Sequence, residues 1–251
     1  MKAALLTQVV IALLILGIIA LVGRRRPITS PRLIGLFFAL YFLDNLIIVT
    51  TNQFPQLQFV PNGTWQGWLV WGWSGKLYSV IACLIVAIST RSVLSRQDLG
   101  LTLRQNPGSL KPACLVLALL GIWSAFIGMS YPKGPFDAGM LLYMAILPGL
   151  NEELVYRGLL LGALNRVFGK SWTVFGADMG WGAVTTSLLF GLLHGFWFDA
   201  NLGLHVEFMA IVLPGALGFV DAWLRERTGS LVMPMLTHGV EDVIIFLVRM
   251  I

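Results

Sequence analysis

Asn151-Glu152-Glu153-Leu154-Val155-Tyr156-Arg157-Gly158 sets two carboxylates and a guanidinium inside an otherwise apolar run. The run from about Phe136 to Val167 reads as one helix. Glu152 then falls ~22 Å along it at 1.5 Å per residue, within the reach of a ~30 Å hydrocarbon core. Glu153 and Arg157 are four apart and share a helical face, so they are expected to form an ion pair that steadies the helix. Glu152 is turned about 100° from Glu153 and is left without that partner. An unpaired carboxylate in apolar surroundings suits general-base work. Glu152 is therefore expected to do chemistry and Glu153 to hold structure.

The rest of the chain explains why such a helix lies in lipid. Of 251 residues 57% are hydrophobic and 12% charged, with a mean hydropathy of +0.81, whereas soluble domains carry roughly 25% charged residues. The chain reads as an all-α, polytopic membrane helix bundle of about eight transmembrane helices, with no room for a separate soluble domain. The net charge of +5 belongs to loops between apolar runs, where topology accounts for it and no nucleic-acid partner is needed. Cys83 and Cys114 lack metal-ligand spacing and read as core residues.

Further apolar runs cover about Ala3 to Val22, Leu33 to Thr50, Trp68 to Thr90, Ala113 to Tyr131, Trp181 to Phe198, Leu204 to Leu224 and Leu231 to Ile251. The first ends in Arg24-Arg25-Arg26 and lacks a small-residue cleavage site, so it reads as a retained helix. Basic residues gather in alternate loops: Arg24, Arg25, Arg26 and Arg32; Arg91, Arg96, Arg104 and Lys111; Arg166 and Lys170; Arg225 and Arg227. Under the positive-inside rule those loops are cytoplasmic and both termini are non-cytoplasmic. Trp65, Trp68, Trp71 and Trp73 fit an interfacial aromatic belt, and His205 and Glu207 an interfacial position. Asp44 and Lys76 fall at similar depth on neighbouring spans and are expected to pair with each other, because an unpaired charge there is costly.

Two later spans add polar residues at helical spacing. Phe190 and His194 are four apart on the sixth, and His238 and Asp242 four apart on the eighth, each pair sharing a face. Depth counted along the helices puts His238 about 10 Å and His194 about 18 Å from the cytoplasmic side. The site is accordingly expected in or near the cytoplasmic leaflet.

Glu152-Glu153-x-x-x-Arg157, Phe190-x-x-x-His194 and His238-x-x-x-Asp242, in that order on successive apolar segments, resemble the motif set of the CAAX protease and bacteriocin-processing family of intramembrane glutamic endopeptidases. The resemblance divides the chain into residues 1–131, helices without catalytic motif, and 132–251, a catalytic helical core. It implies that Glu152 and His194 activate a water, that His238 and Asp242 serve the tetrahedral oxyanion, and that Glu153, Arg157 and Phe190 support the site. One departure stands out: the family most often has asparagine where this chain has Asp242. An ionised aspartate cannot donate to an oxyanion, so Asp242 either stays protonated or orients His238 through an imidazole hydrogen bond, the second being preferred.

The resemblance implies hydrolysis of a peptide bond in a membrane-associated protein or peptide, prenylated or not, without a cofactor. The compact chain with short loops suggests a multi-pass protein of a prokaryotic cell membrane. Competing readings are a zinc-dependent protease, with Glu152, His194 and His238 as ligands and one open position, and a non-catalytic scaffold or immunity-type protein. A transporter is a further alternative, since charges within the membrane also mark ion paths.

Overall fold

Apolar runs of about twenty residues satisfy their backbone in lipid by forming helices. The computed structural model describes residues 2–67 and 69–251; Trp68 lies outside the described residues. Its helices are α1 (Lys2–Gly23), α2 (Pro31–Gln53), α3 (Trp73–Ser89), α4 (Leu110–Met129), α5 (Ala138–Glu152), α6 (Leu161–Phe168), α7 (Trp181–Gly195), α8 (Phe208–Thr228) and α9 (Val232–Met250). A π-helical segment, Glu153–Leu160, joins α5 to α6 without a break. Among the described residues the chain therefore forms eight helical rods, an all-α bundle as expected. α1, α2, α4 and α8 are long and apolar enough to cross a membrane, and the protein is an integral membrane protein.

Three antiparallel hairpins lie between the helices: β1 (Gly63–Trp65) with β2 (Leu69–Trp71), β3 (Trp172–Val174) with β4 (Ala177–Met179), and β5 (Phe196–Phe198) with β6 (Leu204–Val206). They correct three span limits. α3 starts at Trp73 and not Trp68, α7 stops at Gly195 and not Phe198, and α8 starts at Phe208 and not Leu204. The pieces β2 and β5 are wholly aromatic or aliphatic, and periodicity alone does not separate a short buried strand from a helical turn. The turns declare themselves in the backbone, with positive φ at Gln66, Gly67 and Leu202.

Close helix approach comes from small residues, as it does where lipid supplies no hydrophobic drive between helices. A Cβ on Gly149 of α5 would lie 2.7 Å from the Met235 carbonyl of α9, and one on Gly191 of α7 only 2.3 Å from the Ile211 carbonyl of α8. The main core joins Ile11, Ile15 and Ile19 of α1 to Phe37 and Leu40 of α2, and to Leu159, Leu160 and Leu164 of the central rod.

The aromatic-belt expectation fails for Trp65, which is 1% exposed. Its Nε1–H donates to the Pro135 carbonyl at 2.9 Å and its ring packs on Phe246, so the β1–β2 hairpin is fastened onto the helices. His205 and Glu207 are exposed. The hydrogen bond from His205 holds the neighbouring Asp199 carboxyl below the usual carboxylate range.

Candidate functional site

Glu152 ends α5 and Glu153 opens the π segment, so the two carboxylates leave the rod on different sides. π-helical turns are rare and often mark functional sites. All eight residues of this one are buried.

On the Glu153 side stands an ion-pair network. Arg157 Nη1 lies 3.1 Å from Glu153 Oε1, and Nη2 lies 3.6 Å from Asp221 Oδ2 on α8. The guanidinium also stacks 4.4 Å from the centre of the Phe190 ring. Glu153 and Arg157 are 0% and 1% exposed, so the expected pair exists and is fully enclosed. Asp221 is a member that the sequence reading missed. A charge in an apolar span was the available signal; Gly218, one turn earlier, leaves room for the guanidinium, since a Cβ there would press to 2.7 Å of Arg157 Nη2.

His238 joins the two sides. Its Nδ1 lies 2.8 Å from Glu153 Oε1; a carboxylate accepts, so Nδ1 carries the proton. Nε2 then faces Glu152 Oε2 and Asp242 Oδ2, each at 3.8 Å. Both separations exceed a hydrogen bond. The group that orients the His238 ring is Glu153, which corrects the preferred role for Asp242.

His194 sits in the last turn of α7. Its Nδ1 lies 2.7 Å from the Phe190 carbonyl, and a carbonyl only accepts, so the neutral ring carries its proton at Nδ1 and leaves the Nε2 lone pair free. Phe190 touches both imidazoles, 4.5 Å from the His194 ring and 6.2 Å from that of His238.

Glu152 is not left alone. Lys76, in the first turn of α3, bonds Glu152 Oε1 directly. This corrects both the expected solitude of Glu152 and the expected Lys76–Asp44 pair. Asp44 is held by the Ser79 hydroxyl and, at 3.2 Å, by the Asn151 amide. Those neutral donors satisfy it in place of a cation, and hydroxyl and amide residues on apolar spans were the signal. With Oε1 engaged, Oε2 is the oxygen of Glu152 free for chemistry.

A cavity of about 260 Å³ opens at this point. Glu152, His194, Lys76, Asp44 and Asn45 line it, with Gln8 of α1. The helices before residue 132 thus deliver charge and polarity to the site.

The proposed zinc set Glu152, His194 and His238 is not the cluster that packs at ligand distance. Among the described residues that cluster is Glu153, Asp221 and His238, with ligand atoms within 4.8 Å of one another. The Arg157 guanidinium already meets both of its carboxylates.

Residues 134–244 match the family model described as Type II CAAX prenyl endopeptidase Rce1-like. Over these residues the chain is similar to the Rce1-like family. It is the family that the motif set resembles, and Glu152, Glu153, Arg157, Phe190, His194, His238 and Asp242 all lie within the match. No curated protein and no solved structure matches the chain significantly. Lys76 and Asp44 lie before the matched residues. The match supports a protease function.

Proposed function

We propose that this chain is a multi-pass intramembrane endopeptidase of the Rce1-like type, using a water activated by Glu152 and His194. The carrying observation is that Glu152 and His194 line one polar cavity, with His238 Nε2 3.8 Å from the free oxygen of Glu152. Glu152 Oε2 takes a proton from the water, His194 Nε2 holds and aligns that water, and the oxygen attacks the scissile carbonyl carbon. When protonated at both nitrogens, His238 keeps Glu153 on Nδ1 and offers Nε2–H to the oxyanion, the type of preorganised donor that contributes most to such reactions. The proton held by Glu152 passes to the leaving amine as the C–N bond breaks.

Asp242 is 3.8 Å from the same Nε2. In this reading it contributes charge beside the imidazole while Glu153 sets the ring's orientation. The substrate is a membrane-associated protein or peptide, with or without a prenyl group, and the setting is a prokaryotic cell membrane.

The test is cleavage by purified protein in bilayers carrying a library of membrane-anchored peptides, prenylated and plain. Glu152→Gln and His194→Ala should each abolish cleavage. Parental rates in both would refute the assignment. Metal analysis and chelator sensitivity on the same preparation separate it from the zinc reading, under which chelation stops turnover.

A further inference from the structure

The side from which the site is reached follows from where two helices stop. α3 has 17 residues and α7 has 15. At 1.5 Å per residue they are about 25 and 22 Å long, short of a ~30 Å apolar slab. For α7 the shortfall is not at the basic loops. Trp181 at its start shares a cavity wall with Arg24 and Arg25. The end of α6 is level with the same loop, where the Thr29 hydroxyl bonds the carbonyls of Arg166 and Val167.

The opposite end of α7 stops early, with His194 in its last turn. α3 begins with Lys76 in its first turn, and its Ser74 is tied by its hydroxyl to Val60 in the segment ahead of the β1–β2 hairpin. That end of the bundle also holds the start of α1: the Phe198 backbone N–H in β5 donates to Thr7 Oγ1 at 3.0 Å, one residue before Gln8 in the cavity wall. Both short ends therefore leave a depression on one face, and each brings a site residue to its edge.

The other direction is closed. Ile15, Ile19, Phe37, Leu159, Leu160 and Leu164 are each no more than 1% exposed and belong to one contiguous core between the cavity and the basic loops. Of the chain's 17 Lys and Arg, twelve flank that closed face, Arg24, Arg104, Arg166 and Arg227 among them; Lys2, Lys133 and Arg249 lie toward the open one. Basic loops stay cytoplasmic.

We propose that water and substrate reach Glu152 from the non-cytoplasmic face, so that the chain cleaved is an exported or outer-leaflet one whose scissile bond is drawn down to the middle of the membrane. This reverses the expectation of access from the cytoplasmic leaflet; the helix starts from which depth was counted, Trp181 and Leu231, hold to within one residue, and the early ends of α3 and α7 set the route. It takes Glu152 as the reacting centre from the reading above, while the access route stands independently of the chemistry.

The test uses full-length protein lacking Cys83 and Cys114, labelled by a membrane-impermeant maleimide in sealed spheroplasts and again after permeabilisation. Reporter cysteines at Asn201→Cys, on the β5–β6 hairpin, and Arg26→Cys, on a basic loop, fix the orientation. Leu193→Cys and Asn45→Cys probe the cavity. Asn201→Cys and at least one cavity probe should label in sealed spheroplasts, and Arg26→Cys only after permeabilisation. Cavity probes that label only from the cytoplasmic side, or both from neither side, overturn the proposal, as does a reversed reporter pattern. Labelling reads access without turnover, so a protease reading refuted by active Glu152→Gln leaves this result untouched, and the converse also holds.

Discussion

Arg157→Met is the most informative single change, because it removes the cation from between two enclosed carboxylates. Arg157 Nη1 is 3.1 Å from Glu153 and Nη2 3.6 Å from Asp221, and none of the three residues is more than 5% exposed. Methionine fills most of the volume and supplies no charge. Breaking a buried pair by removing one partner costs about 3–5 kcal/mol, because the remaining charge is left uncompensated. At about 1.4 kcal/mol per decade that is roughly a hundredfold to a few thousandfold in the unfolding equilibrium. Glu153 keeps the His238 Nδ1–H, so the stranded group is mainly Asp221. Arg157→Met combined with Asp221→Asn should therefore recover at least half of the loss. The assay is reversible unfolding in mixed micelles followed by tryptophan fluorescence and circular dichroism. A loss of under 1 kcal/mol for Arg157→Met, or simple additivity in the double variant, would refute the idea that this cation is held in place by two anions.

Four further expectations can be checked on the same preparation. A double-mutant cycle of Lys76→Met with Glu152→Gln should show a coupling of about 1–3 kcal/mol, as contacting charged residues do, whereas Lys76→Met with Asp44→Asn should couple more weakly; the opposite ranking would restore the pairing first expected. Gly218→Ala places a methyl 2.7 Å from Arg157 Nη2 and should cost about 1–3 kcal/mol by overpacking. Gly35→Ala, with nothing within 4 Å, should be neutral or raise the melting temperature through helix propensity. Asn151→Leu should destabilise by about 1–3 kcal/mol by taking a donor from buried Asp44, and Asp44→Asn in the same chain should return part of that in thermal melts.

Much of this architecture was legible in the sequence because lipid leaves the backbone few choices. Apolar runs gave the helices to within a few residues, and the Glu153–Arg157 spacing gave the central ion pair. The hairpins were not legible, since Leu69-Val70-Trp71 and Phe196-Trp197-Phe198 are as apolar as the helices they adjoin. At the site, the four-apart pairs placed Phe190 with His194 and His238 near Asp242 because helical periodicity is a local property. The partners of Lys76, Asp44 and His238 are set by helices meeting across the bundle, and two of those contacts, Lys76 to Glu152 and His238 to Glu153, span 76 and 85 residues of chain. Charge alone made Asp44 and Lys76 look like natural mates. Ser79 and Asn151 satisfied Asp44 with neutral donors and freed the lysine for Glu152.

The Lys76–Glu152 contact has a bearing on how the molecule can be taken apart or recombined. The ammonium that balances Glu152 comes from a helix well before the residues that match the Rce1-like family begin. Grafting residues 134–244 behind a foreign set of leading helices would hand the graft an unneutralised acid unless the donor placed a cation one turn into the equivalent rod. Chimeras sorted by that single position should separate folded hybrids from aggregates.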